Sequence, residues 1–423
     1  MSSISARAFA LGFSAIISVL LLALALGCGG PGRSSTPAAN NPNPGATPPA
    51  TPPPSGGSGG GTGGGSGGGG GVQPSAFVYV GNVGNAAGAG VSAWTVSSDG
   101  SLTPVTGSPF NGGGLGVVVD PSGRWVWSTD SVSDPNNPKG HVITFSVNGD
   151  GSLAQSSSLT DEPLTPGLFI DRSGQNLYAN SPFAPGNYNW GYRIFSIGSN
   201  GTASFNSYIT LFGGSNVAFT PADNFAYIPW GYHLDGRIAG YTHDSSGKLT
   251  ESQTASLQGP FNQSTGRSSV PTWAAITPDG RYLAACFDNV QNATTFAIAV
   301  YSINASTGAL TQVPNSPFTT IAQGNRLAFD PAGQWLAETT MNGLFIYKFD
   351  VGSGSLAVNS AVLGSGESDG LAFNKAGNLL FVTSKPANQL SVYKFNVGTG
   401  AATPAAGPYP TGQAPADIAI IQR

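Results

Sequence analysis

Charge is scarce in this 423-residue chain. Asp, Glu, Lys and Arg together make up 9% of it, against about a quarter in ordinary soluble proteins. The 16 basic and 20 acidic residues leave a net charge of −4 with no basic cluster, which excludes a nucleic-acid partner held by phosphate neutralisation. Cysteine is rarer still, with only Cys28 and Cys286, so no disulfide framework is available. Cys286, inside YLAACF (282–287), reads as a small buried core residue. Histidine occurs three times, and no G-x-S-x-G elbow, H-E-x-x-H pair or phosphate loop is present. Those reaction classes therefore lack support.

Glycine and proline are abundant instead, at 62 and 32 residues. Much of that lies near the start. Arg7 precedes an apolar stretch, Ala8 to Leu26, which runs into Ala25-Leu26-Gly27-Cys28. This reads as a secretory signal ending in a lipoprotein-type cleavage site, residues 1–27, with Cys28 as the lipidated first mature residue. An uncleaved membrane anchor and ordinary signal cleavage are the alternatives. Residues 28–75 are rich first in Pro and then in Gly, without apolar surface to offset ordering, and are expected to be a disordered linker. The folded part is expected over 76–423, extracytoplasmic and tethered to the bacterial cell envelope through the lipid. A monomer is expected.

Within 76–423 several features recur together. A turn appears as DPSG (120–123), DRSG (171–174), TPAD (220–223), TPDG (277–280), DPAG (330–333) and NKAG (374–377), at intervals of 44 to 57 residues. Pro presets φ at the second position and Gly supplies the left-handed conformation at the last; Asp223 tolerates it in one copy. Each turn joins two β-rich runs. A third run carries an aromatic (Trp94, Phe145, Phe195, Tyr241, Tyr301, Tyr347, Tyr393), and a Gly-x-Leu or Gly-x-Ala step opens a more polar fourth. Seven units of four strands predict an all-β fold, a seven-bladed β-propeller. The folded part opens on AFVYVGN (76–82), a second strand, and ends on ADIAII (416–421), a first strand. The last strand should therefore complete the first blade and close the ring.

Units of this form resemble the seven-bladed lactonase-family β-propellers, whose named activity is 6-phosphogluconolactone hydrolysis, and are also similar to YVTN-type repeat proteins. TPVTGSPF (103–110) and TQVPNSPF (311–318) strengthen the resemblance. It implies His, Arg and Glu at the channel mouth, where the inner strands begin. The matching entries here are Leu115-Gly116, Pro166-Gly167, Ser215-Asn216, Thr272-Trp273, Asn325-Arg326, Asp369-Gly370 and Ala416-Asp417. None holds His; Arg326, Asp369 and Asp417 are the charged ones.

The long connections, 130–140, 180–191, 229–237, 258–271 and 287–296, fall on one face, where loops on a rigid scaffold usually carry function. Trp190, Tyr188, Trp230, Tyr232 and Trp273 suggest a patch for a glycan or protein partner. His233 lies among them, whereas His141 and His243 read as surface residues. Two functions follow, with structural display without a specific ligand as a third reading. One is a ligand-binding propeller without turnover. The other is a sugar-lactone hydrolase whose site is rebuilt from Arg326, Asp369, Asp288 and His233, with Arg326 polarising the carbonyl and a carboxylate activating water. No cofactor or metal is expected. Calcium on Asp130, Asp288, Glu367 and Asp369 is the alternative, since hard cations want several oxygens, but no Asp-x-Asp-x-Asp-Gly spacing exists.

Overall fold

The computed structural model describes residues 76–422, apart from 85–88, 133–138, 183–189, 212–213, 233–234, 253–256, 259–260, 263–266, 289–295 and 364–365. The signal and linker read at 1–75 lie outside the described residues.

Hairpin chemistry builds each unit. In the inner turns the first side chain bonds the backbone that follows: Asp120 Oδ1 accepts from Arg124 N at 2.7 Å, Thr220 Oγ1 from Phe225 N at 3.2 Å, and Asp330 Oδ1 from Trp335 N at 2.7 Å. The fourth position is left-handed throughout, with φ of 71° at Gly123 and 58° at Asp223. Local sequence thus fixes the turn, and the turn fixes which runs pair.

Seven four-stranded antiparallel paths result. The first blade comprises 76–104 and Pro415–Gln422; blades two to seven span 116–161, 168–210, 218–251, 270–312, 324–363 and 371–410. Blades four and five each carry one further short strand. The closing strand pairs with Ala76–Asn82, setting Ile418 opposite Val80 and Ile420 opposite Val78. The expected closure is therefore present. The two SPF stretches bend the outer strand: Ser108 Oγ accepts from Ala93 N at 2.8 Å and Ser316 Oγ from Val300 N at 2.9 Å. The stretch 229–237, read as a loop, is largely a hairpin instead, with Pro229 opposite Ile238 and Trp230 opposite Arg237.

The apolar core is divided among the seams. Each buried cluster draws on two consecutive blades, as where Phe77 and Tyr79 of the first meet Val126 and Phe145 of the second. The seventh and first blades share Val78, Trp94, Phe381 and Val392. An aromatic of one blade also bonds a turn carbonyl of the next: Tyr79 Oη to Gly151 O at 2.9 Å, Trp127 Nε1 to Gly201 O at 2.8 Å and Tyr227 Oη to Gly308 O at 2.7 Å. The recurring Gly is required there, because a Cβ on Gly201 would lie 2.5 Å from the Trp125 ring.

One seam contains a buried acid. Glu338 of blade six, 1% exposed, accepts from Tyr347 Oη at 2.6 Å and from the Cys286 thiol of blade five at 3.7 Å. Burial pushes its pKa up to about 7, against the pull of both donors. Cys286 is free and buried, as read from the sequence, and burial with the Glu338 charge pushes its thiol up.

Two predictions follow from this packing. Ile421 is 3% exposed, so Ile421→Ala should cost about 2–4 kcal/mol in urea unfolding. Val358 is 67% exposed, and Val358→Ala should stay within about 0.5 kcal/mol. Equal effects would show that closure packing contributes little. For Glu338 the folded pKa is raised, so its stabilisation is complete below the unfolded value and is lost as pH rises through about 7. The loss is on the order of 3 kcal/mol, read as the difference between wild type and Glu338→Gln across that window; parallel pH profiles would refute it.

Candidate functional site

The inner strands converge on the ring axis, and several line one cavity of about 370 Å³. Val117, Phe169, Asn216, Trp273, Arg326 and Asp417 contribute to its wall, from blades two, three, four, five, six and one. No local stretch could assemble them. The ring does so because each inner strand enters at the same level.

Hydrogen bonds between neighbouring entries fix that level. Asn216 Nδ2 donates to Ala274 O at 2.8 Å and its Oδ1 accepts from Ala274 N at 2.9 Å. Thr272 Oγ1 donates to Gly324 O at 3.0 Å, and Asn325 Nδ2 to Ser368 O at 2.7 Å. Side chains at this level are thus held by the backbone of the next blade, not by exposed loops.

Arg326 carries the principal charge of the mouth. Its guanidinium pairs with Asp417 and lies 4.4 Å from the Trp273 ring centre. Trp273 in turn meets Phe169 at 6.0 Å between centroids. The Asp417 side chain is only 7% exposed, and its Oδ2 is buried without a hydrogen-bond partner. Leaving a charged acceptor so costs roughly 1–3 kcal/mol. The trio therefore groups an aromatic face, a cation and a carboxylate on one wall.

The other sequence candidates lie elsewhere. Asp369 is buried at the entry of blade seven, away from the cavity wall, where Lys385 Nζ reaches its Oδ1 at 2.7 Å. Burial, and then Asp369, raise the pKa of neighbouring Glu367. Trp190 is 38% exposed. Trp230 is half-buried under the Arg237 guanidinium, 4.2 Å from its ring. Tyr188, His233 and Cys28 lie outside the described residues, as do the side chains of Tyr232 and Asp288.

Two histidines need comment. His141 is partly covered and bonds Asp130 at 2.7 Å. His243, read as a surface residue, is buried instead: its side chain is 2% exposed between blades three and four. It forms, with Asp171 and Asp223, the one trio of metal-ligating types among the described residues, their ligand atoms within 4.8 Å. The trio sits at the inner-turn end of the ring, away from the mouth, and its polar atoms already have protein partners. Sequence reasoning left Asp417 out of the site it assembled, although its entry position was a usable signal.

A family model described as a seven-bladed β-propeller lactonase matches residues 208–368. No curated protein matches the sequence. Among solved structures, a candidate 6-phosphogluconolactonase from Bacteroides fragilis is 15% identical, with a TM-score of 0.66, covering 83% of this chain and 99% of its own. A periplasmic gluconolactonase from Pseudomonas aeruginosa is 16% identical, with a TM-score of 0.65, covering 82% and 99%. A protein from Lactobacillus plantarum is 13% identical, with a TM-score of 0.64 over 82% and 99%. At such identities the likeness speaks for the fold. The chain is a seven-bladed β-propeller, and its residues 208–368 match the lactonase model.

Proposed function

We propose that this protein is a lipid-anchored envelope propeller that binds a small uncharged sugar or sugar lactone at its channel mouth. One observation carries the reading: the Arg326–Asp417 pair and the Trp273 ring share one cavity wall. A ligand hydroxyl would bond the exposed side of that pair, and a sugar ring would lie against the indole. The anchor through Cys28 is part of the same proposal.

A second reading is hydrolysis, favoured by the adjacency of Arg326 and Asp417. In it Arg326 polarises the lactone carbonyl and Asp417 takes the proton of an attacking water. The ring C–O bond then breaks, and the departing alkoxide takes that proton back. The names of the solved neighbours make lactones the substrates to try first.

Titration of the purified protein with sugars and their lactones, followed calorimetrically, tests the binding claim. Asp417→Asn and Trp273→Ala should each weaken binding about tenfold or more, a change of about 1.4 kcal/mol. Trp190→Ala should change it little. Loss in Trp190→Ala with full binding in Asp417→Asn would move the site to the loops. Ring opening that falls in Arg326→Met as well as Asp417→Asn establishes hydrolysis; binding without turnover leaves a receptor.

A further inference from the structure

The inner strands can be compared residue by residue, because each pairs with its second strand in the same register. At the middle level Val118 lies opposite Trp127, Phe169 opposite Tyr178, Ala218 opposite Tyr227 and Ala419 opposite Tyr79. The remaining blades hold Ala275, Ala328 and Ala372 there, opposite Ala284, Ala337 and Phe381. Every blade but one thus places Ala or Val at this level, as crowding around a narrow axis favours. Blade three places an aromatic, Phe169.

Its ring is directed to the mouth. An ideal Cβ on Gly167, at the entry of the same strand, would lie 3.3 Å from Phe169 Cε2, so Gly at that entry leaves the ring its room. Trp273, the entry residue of blade five, lies 6.0 Å away between centroids, inclined by 60°. Tyr192 backs the ring from within blade three, 6.2 Å away at 65°, and is itself fully buried. Phe169 therefore bridges from blade three to blade five, across a blade whose side chain at this level is only Ala218. It is half-buried and lines the central cavity. Past it the cavity continues between Ile170, Ala275, Ala328 and Phe329 to Arg172 at the turns. The middle of the bore is thus apolar, whereas the mouth holds the Arg326–Asp417 pair.

Taking the sugar or lactone reading of the mouth as the basis, we infer that Phe169 is its specificity-determining residue. It narrows the bore beneath the Trp273 ring, so that the site holds one sugar ring and keeps an apolar substituent out of the lower bore. The constriction is firm, because neither neighbour of the ring can yield: Tyr192 has no exposed surface, and Trp273 is held by the Arg326 guanidinium at 4.4 Å. With Ala at this position, as in most of the ring, mouth and lower bore would form one compartment. An alkyl tail entering it would gain affinity by leaving water. With Phe the tail stays outside, and ligands are sorted by what their ring carries on its inner side.

Calorimetric titration of the purified protein with methyl, butyl and hexyl β-glucosides reads the constriction. Wild-type affinity should stay within about twofold along the series, because no methylene is buried. In Phe169→Ala it should rise about fourfold for each added methylene, the factor for burying one CH₂. Phe169→Leu, which restores bulk, should return the series to flat. Ala is the usual residue at this level, so Phe169→Ala should fold, and its melting curve checks that. A wild-type series as steep as that of Phe169→Ala overturns the inference, as does a flat series in both. A further measurement needs no sugar. Benzene should raise the melting temperature of Phe169→Ala and leave wild type unchanged, since vacated apolar space takes up such a probe. Should neither protein bind any glucoside while benzene stabilises the variant alone, the sugar reading falls and the constriction stands. Benzene stabilising both proteins, or neither, overturns the constriction.

Discussion

Burial of apolar faces between blades is the constraint on which the molecule depends. No blade owns a core: each buried cluster is shared by two consecutive blades, and the last such seam joins the seventh blade to the first. An unclosed stack would leave two faces and two sheet edges in water. Pairing Pro415–Gln422 with Ala76–Asn82 removes both at once, covering Ile421 and joining the ends of the described chain within one sheet. Convergence of the inner strands is then unavoidable, and the central cavity follows from it.

Because the same unit is used seven times, residues that obey the repeat report on packing and those that depart from it report on something local. Tyr79, Trp127 and Tyr227 obey it, each bonding the next blade's turn. Arg172, Asp223 and His243 depart from it at one seam and compensate one another. Trp273, Arg326 and Asp417 depart from the small and apolar entries, and meet at the mouth. Glu338 departs from the apolar seam and is kept in bonding contact by Tyr347 and Cys286. Each departure costs desolvation, so each is tolerated only where partners are built in.

The fold was legible in the sequence because its determinants are local. A Pro-x-Gly turn, an alternating run and a Gly-x-Leu step each act within a few residues, and their repetition gave blade number, strand order and closure. The site was less legible, because its members meet only through the ring. Arg326 could be picked as the one basic residue at an entry, yet nothing near it in sequence names Asp417 as its partner. His243 looked like a surface residue because it precedes a turn; its burial comes from Tyr178 and Phe219 across the seam and within its own blade. Pro229-Trp230 looked like loop because Pro and Gly cluster there, but cross-strand pairing with Arg237 and Ile238 outweighs that composition.

The poverty of charge bears on what the mouth would accept. Arg326 is neutralised by Asp417, so the trio as a whole offers no net positive charge. A phosphate group would have to compete with Asp417 for the guanidinium while lying beside that carboxylate, at a cost in repulsion and in breaking a pair only partly exposed. A hydroxyl-rich neutral ring meets no such penalty, because it can donate to Asp417 and leave the pair intact. Arg172, the other basic residue of the cavity wall, sits at the turn end, where its backbone is tied to Asp223. The likeness to phosphogluconolactonases is thus one of fold, and the charge arrangement at the mouth is where the proposed preference for an unphosphorylated ligand would arise.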